Sequence, residues 1–194
     1  MGRPGRHTGG DGTMSRAVPS TYTITYLEMT ESSGIPHVAP PSVRHAVMRA
    51  AQPPVHYYRY LYDAVGRPWQ WVDRKRLSDG QLASIIHDPA VEIYIAYMDG
   101  VPAGFAELDF RELPARADLA YFGLIPDFIG RGMGPWLLHW AIDEMWGRAP
   151  AKLTVNTCTL DHPSALPMYQ KLGFRPYDRR EARFVPLDDE LRDG

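Results

Sequence analysis

Apolar residues in this chain recur at two spacings, every second position or every third to fourth, and the changes of spacing mark out its elements. YTITYLEM, Tyr22 to Met29, alternates as a half-buried strand does, and the proline-rich stretch from Ile35 to Pro54 reads as mostly loop. From Val55 to Val65 the spacing is helical: Tyr57, Tyr58, Leu61, Tyr62 and Val65 form one stripe, and Gly66 is suited to end it in a left-handed conformation. Core packing accounts for most of these rings, leaving a few tyrosine tips to line a pocket. Trp69 and Trp71 follow in a polar connection, where tryptophan points to contact with the core or with a ligand. A second helix starts at Ser78, which forms a capping-box pattern with Gln81, and Pro89 closes it.

Val91 to Phe110 predicts a hairpin turning at Asp99 and Gly100, a pair that favours a primed turn. In its second strand Ala106, Leu108 and Phe110 alternate with Phe105, Glu107 and Asp109, so the two acids share a face; solvent exposure is the ordinary outcome for both and the expected one for Asp109. A further strand runs from Asp118 to Ile125. Gly123 interrupts it and marks a bulge or a close approach, where unpaired N–H and C=O groups can bind something extended. Gly130, Gly132 and Gly134 then lead into a helix that has Pro135 in its first turn, an apolar face of Trp136, Leu137, Trp140, Ala141 and Met145, and Gly147 at its end. Lys152 to Leu160 is a β-branched strand. Asp161, His162, Pro163 and Ser164 connect it to a helix in which Ser164 is the expected cap, Pro167 falls in the first turn and Gly173 follows the last. Phe174 to Val185 closes the chain as a strand or hairpin.

A strand, a glycine turn and a helix in succession form a site for an anion: backbone N–H groups and the positive end of the helix dipole converge, and glycines admit a phosphate closely. The glycines alone are equally consistent with a plain flexible turn. Composition narrows the setting. With 194 residues and 44% hydrophobic positions the chain has room for one well-buried domain, assigned to residues 21–190. Residues 1–20, with five glycines and two prolines, read as a disordered tail. A net charge of −2 with only short basic clusters gives no pull toward nucleic acid or anionic lipid, and no apolar run is long enough to span a membrane. The single cysteine, Cys158, excludes an internal disulfide framework, and no metal-ligand spacing surrounds it, which fits a reducing, cytoplasmic setting.

Two segments carry a family resemblance. LIPDFIGRGMGPWLL resembles the acetyl-CoA pyrophosphate loop of the GNAT superfamily of N-acetyltransferases, and SALPMYQKLGF resembles that superfamily's helix with its tyrosine and closing Lys-x-Gly-Phe. The similarity extends from about Tyr22 to Val185. It implies an α/β fold of the α+β type: a mixed, mostly antiparallel sheet flanked by helices, with a splayed strand pair forming an acyl-CoA cleft. It also implies acetyl-CoA as acyl donor, held by Ile129, Gly130, Arg131, Gly132, Met133 and Gly134, with Asn156 and His162 contributing from the strand and connection just before the second segment. Ile129 stands where the loop pattern has Arg or Gln, and His162 where the second motif usually has Asn.

Acetyl transfer to an amine needs a held donor, a neutral amine, a stabilised oxyanion and a proton for the departing thiolate. N–H groups around Leu124 and Ile125 are candidates for the oxyanion. Tyr169 occupies the family's position for the proton donor; without the resemblance it reads as a core tyrosine. A carboxylate must deprotonate the amine, and Asp118 and Glu107 compete for that role, Asp118 slightly ahead. His162 and His139 read rather as structural or surface groups. The expected activity is acetyl transfer to a primary amine of a small-molecule or amino-acid-like acceptor, with a homodimer left open. The alternative is a non-catalytic acyl-CoA sensor or interaction module. A dinucleotide-binding oxidoreductase fits neither the glycine spacing nor the strand order.

Overall fold

The computed structural model describes residues 21–32, 34, 36–185 and 187. Among them the elements run β1 (Thr21–Met29), β2 (His45–Arg49), α1 (Val55–Gly66), α2 (Asp79–Ile86), β3 (Val91–Met98), β4 (Val101–Asp109), β5 (Ala117–Leu124), α3 (Met133–Trp146), β6 (Leu153–Cys158), α4 (Ala165–Lys171) and β7 (Arg175–Arg183). Short 3-10 turns occupy Arg67–Trp69, Arg74–Arg76 and Pro126–Phe128. One sheet takes the order β2-β3-β4-β5-β6-β1-β7, with β5–β6 its one parallel neighbour pair. This is the mixed, mostly antiparallel sheet with flanking helices that the sequence implies. The expected tail, residues 1–20, lies outside the described residues. No helix among the described residues is long and apolar enough to cross a membrane.

Alternation along β4 sorts the two layers. Phe105 packs with Tyr58, Leu61, Tyr62 and Val65 of α1, while Ala106, Leu108 and Phe110 face Leu138, Ala141, Ile142 and Met145 of α3. Local chemistry does what its residues predict at several ends. Asp99 and Gly100 both take positive φ, 51° and 86°, as a primed turn requires. Ser78 and Gln81 form both halves of the capping box, and Gly173 leaves α4 at φ 107°.

Other expectations fail for tertiary reasons. The stretch read as loop contains β2, which pairs along the free edge of β3; with Met48 59% exposed, HAVMR shows no buried face of its own and takes its strand form from its neighbour. Gly66 is right-handed, at φ −92°. A Cβ there would lie 2.5 Å from Trp71 side-chain carbons, so close packing rather than a left-handed turn calls for the glycine. Ser164 stands before α4 but its side chain caps nothing; its own N–H donates to His162 Nδ1. Glu107 is fully buried, and Asp109, expected in solvent, keeps only 16% side-chain exposure against Arg111. The strand is not broken at Gly123, which pairs with Phe105. The register shift is at Ala120, and a Cβ on Gly123 would meet Val65 Cγ1 at 2.5 Å, so the close approach there is by α1.

Candidate acyl-transfer site

The parallel pairing of β5 with β6 lasts for three residues, Ala117 with Leu153, Asp118 with Thr154 and Leu119 with Val155, and then the strands separate. A cavity of about 900 Å³ occupies the gap. Antiparallel pairing alternates hydrogen-bonded and open positions. Ile125 N–H donates to Ala103 O, so one residue earlier Leu124, opposite Gly104, turns its own N–H and C=O away from β4 and toward the gap, as does Phe122. These are backbone groups that β6 no longer covers.

Beyond β5, Gly130 and Gly132 both sit at φ 82°, and a Cβ added to either would meet nothing within 4 Å. Gly132 begins α3, no side chain caps this end, and the first turn holds no acid. The first N–H groups of a helix have no partner inside it. Pro135 carries none, which leaves those of Met133 and Gly134 at the positive end of the dipole. Ile129, Gly130, Gly132 and Gly134 border the cavity.

On the opposite wall Asp161 organises the polar groups. Its Oδ1 accepts from Trp71 Nε1 at 3.0 Å, and its Oδ2 accepts from Thr157 Oγ1 and Cys158 N, both at 2.8 Å. Trp69 packs against His162 with ring centroids 5.0 Å apart. The segment after α1 therefore bridges to the β6–α4 loop across the cavity. Tyr169, 5% exposed, borders it between Phe122 and Phe174; burial first, and then Asp161, raises its hydroxyl far above the usual tyrosine range. Burial, with Asp161 adding, also pushes the Cys158 thiol up to about 11. At neutral pH that thiol is protonated and a poor nucleophile.

Residues 56–174, more than half of the chain, match the family described as Acetyltransferase (GNAT) family. The chain belongs to the GNAT family. Among solved structures it is similar to a GCN5-related N-acetyltransferase from Sphaerobacter thermophilus, at 15% identity and TM-score 0.63, covering 87% of this chain and 55% of that one. It is also similar to a protein assigned to GNAT acetyltransferases from Novosphingobium aromaticivorans, at 20% identity and TM-score 0.55, covering 84% and 66%. A third neighbour is the aminoglycoside N-acetyltransferase AAC(6')-Iy in complex with CoA, at 19% identity and TM-score 0.50, covering 78% and 99%. At these identities the likeness is one of fold. The chain spans less than two thirds of the length of the first two, 55% and 66%. A comparison with curated proteins gave no match.

In this GNAT chain the residues singled out from sequence fall into three groups. Tyr169, Leu124, Ile129, Gly130, Gly132, Gly134, Asn156 and His162 border the cavity. Ile125, Arg131 and Met133 do not: the Ile125 amide is taken by Ala103, Met133 is buried in the core, and the Arg131 guanidinium lies 5.3 Å over the Phe128 ring. The two carboxylates also stand off the cavity. Asp118 accepts from Thr154 Oγ1 at 2.5 Å, and burial raises its carboxyl. Glu107 is held by the Tyr58 hydroxyl and the Arg74 guanidinium; burial raises it, with both partners pulling the other way. His139 pairs with Asp143 on the exposed side of α3.

Sequence reasoning missed Asp161, Tyr121 and Arg74. Asp161 reads there only as part of a connection, and neither Tyr121 nor Arg74 is singled out. The one signal available was tryptophan in a polar stretch, which proved to be the donor to Asp161.

Proposed function

We propose that this protein is an N-acetyltransferase that moves an acetyl group from acetyl-CoA directly to a primary amine of a small-molecule acceptor. Acetyl transfer from acetyl-CoA is general to the GNAT family. The observation that carries the finer reading is the divergence of β5 from β6, with the uncapped start of α3 and the Tyr169 side chain on one cavity. The residues present fit the donor: glycines with open space above them and free helix-terminal N–H groups suit a pyrophosphate, and an uncovered strand edge suits an extended, amide-containing arm. When bound, acetyl-CoA supplies an acyl group activated as a thioester.

The Gly134 amide, with the Gly130 and Gly132 turn beside it, would hold the pyrophosphate, and the Phe122 and Leu124 amides would face the thioester carbonyl, where negative charge develops. As the amine nitrogen forms its bond to the acyl carbon, the carbon–sulfur bond would break, the sulfur would take the proton of the Tyr169 hydroxyl, and the proton that the nitrogen sheds on becoming an amide would return to the Tyr169 oxygen through water. A hydroxyl raised this far keeps its proton across the physiological range until a strong base is beside it. The acceptor must first lose the proton of its ammonium form. Glu107 and Asp118 stand behind the cavity wall, so either takes that proton only through water. The protonated Cys158 favours direct transfer over an acyl-cysteine route.

Replacing Tyr169 by Phe tests the assignment. The expected result is a fall in kcat of about 10²- to 10⁴-fold with acetyl-CoA affinity unchanged; an unchanged kcat removes Tyr169 from the mechanism. Acetyl-CoA binding by calorimetry with no thiol release across amines, amino acids, polyamines and aminoglycosides would favour a non-catalytic acyl-CoA sensor instead.

A further inference from the structure

One part of the cavity lining has a composition of its own. Tyr22, Trp69, Trp71 and Tyr121 border it. Tyr62, Trp71 and Tyr121 form a three-ring cluster with centroids 5.0 to 5.4 Å apart. The charged side chains that border the cavity, among the described residues, are Asp73, Asp161 and Lys171. Lys171 belongs to the last turn of α4, so the aromatic wall itself carries two acids, no ammonium and no guanidinium, and its one basic side chain is the His162 imidazole against Trp69. The guanidinium of Arg74 lies 5.0 Å from the Tyr121 ring centroid, outside the lining, with its charge committed to Glu107. Asp73 is shared at 3.9 Å with Arg76.

Asp73 is 78% exposed and only loosely paired, whereas Asp161 is the carboxylate fixed in place beside the indole. An ionised carboxylate offers about four acceptor positions. Asp161 uses one on Oδ1, for Trp71, and two on Oδ2, for Thr157 and the Cys158 amide, and the Cys158 thiol lies beside it as well, so at most one position stays open next to the indole.

From this juxtaposition we infer that the acceptor is a ring-bearing, apolar amine with no carboxylate or phosphate of its own, its ammonium directed at Asp161 and its ring set among Trp69, Trp71 and Tyr121. The inference rests on the acetyl-transfer reading and narrows it. An apolar ring satisfies this wall by burial, and the π-faces attract a cation. An amino acid's carboxylate would meet the field of Asp161 and Asp73 with no guanidinium or ammonium in the wall to receive it, and it would be desolvated unpaired. A polyhydroxylated aminoglycoside would bury hydroxyls against rings that offer few partners.

The matched pair phenethylamine and phenylalanine, which differ by one carboxylate, isolates the point. Calorimetry on the full chain with CoA present should show phenethylamine binding about tenfold or more tightly than phenylalanine. Thiol release with acetyl-CoA should show the same order in kcat/KM. Asp161→Asn should lower phenethylamine affinity by a similar factor while CoA affinity stays at the parent value. If that variant also loses CoA, its fold has changed, and the pair measured on the parent protein decides. Equal or tighter binding of phenylalanine overturns the inference, as does turnover confined to polyamines or aminoglycosides. A preference for phenethylamine in binding with no thiol release from any amine supports the ligand class and refutes the transferase reading, so the two fail separately.

Discussion

Arg74 and Glu107 form an ion pair whose side chains are 13% and 1% exposed, and replacing Arg74 by Met should expose what the pair costs to break. Glu107 is surrounded by Phe105, Tyr58 and the rest of the α1 face, and its second oxygen accepts from the Tyr58 hydroxyl. Without Arg74 the carboxylate keeps one donor and no cation. Breaking a buried pair on one side destabilises by about 3–5 kcal/mol, because the remaining charge stays desolvated. With a urea slope of about 2 kcal/mol per molar, the midpoint should drop by about 2 M. The sign with pH follows from the raised carboxyl. Burial already holds Glu107 above its ordinary value in the folded protein, and losing Arg74 raises it further. A group raised on folding stabilises fully below its unfolded value, about 4.3, and that contribution is lost as pH rises through the folded value. The deficit of Arg74→Met should therefore be smaller at pH 5 than at pH 8. Removing both charges, as Glu107→Leu with Arg74→Met, should recover most of the loss, since an apolar pair of similar volume leaves no buried charge. Urea unfolding of the parent, the two single variants and the double variant at both pH values completes the cycle. A deficit below about 1 kcal/mol, or one equal at pH 5 and pH 8, refutes the reasoning.

Two further substitutions probe the cleft. Gly104→Ala would place a Cβ 2.3 Å from the Gly123 carbonyl oxygen and 2.9 Å from Leu124 Cα. These are backbone atoms that no rotamer change can move, so a loss of about 1–3 kcal/mol is expected in thermal or urea unfolding. Gly80→Ala, in α2 with nothing within 4 Å, is the control and should stabilise by up to about 1 kcal/mol; a Gly104→Ala protein as stable as the control would falsify the close β4–β5 contact. Ile129→Arg introduces a guanidinium at a cavity-lining position that is 38% exposed, next to the glycine turn. It should tighten acetyl-CoA binding by about tenfold, measured by calorimetry at fixed salt, and unchanged affinity would mean that this position does not face the pyrophosphate.

What could be read from the chain alone was what a few neighbouring residues decide among themselves. The Asp99–Gly100 turn, the Ser78–Gln81 capping box, Pro167 in a first turn and the alternation that divides Phe105 from Ala106 each depend on dihedral preference or side-chain period over a handful of positions. The glycine turn before α3 belongs with them, with Gly130 and Gly132 both at φ 82°. Folding decided the rest, because the partners lie far apart in sequence: 33 residues from Arg74 to Glu107, 49 from Tyr58 to Glu107 and 90 from Trp71 to Asp161. No periodicity distinguishes Glu107, locked in the core, from Asp161, facing the cavity. Gly66 and Gly123 show the same limit, since both are glycines because Trp71 and Val65 pack against them, not because of any turn. Local chemistry determined where the chain could hold an anion. Long-range packing, which buries one carboxylate with its cation and leaves another beside an indole, determined which acid borders the cavity.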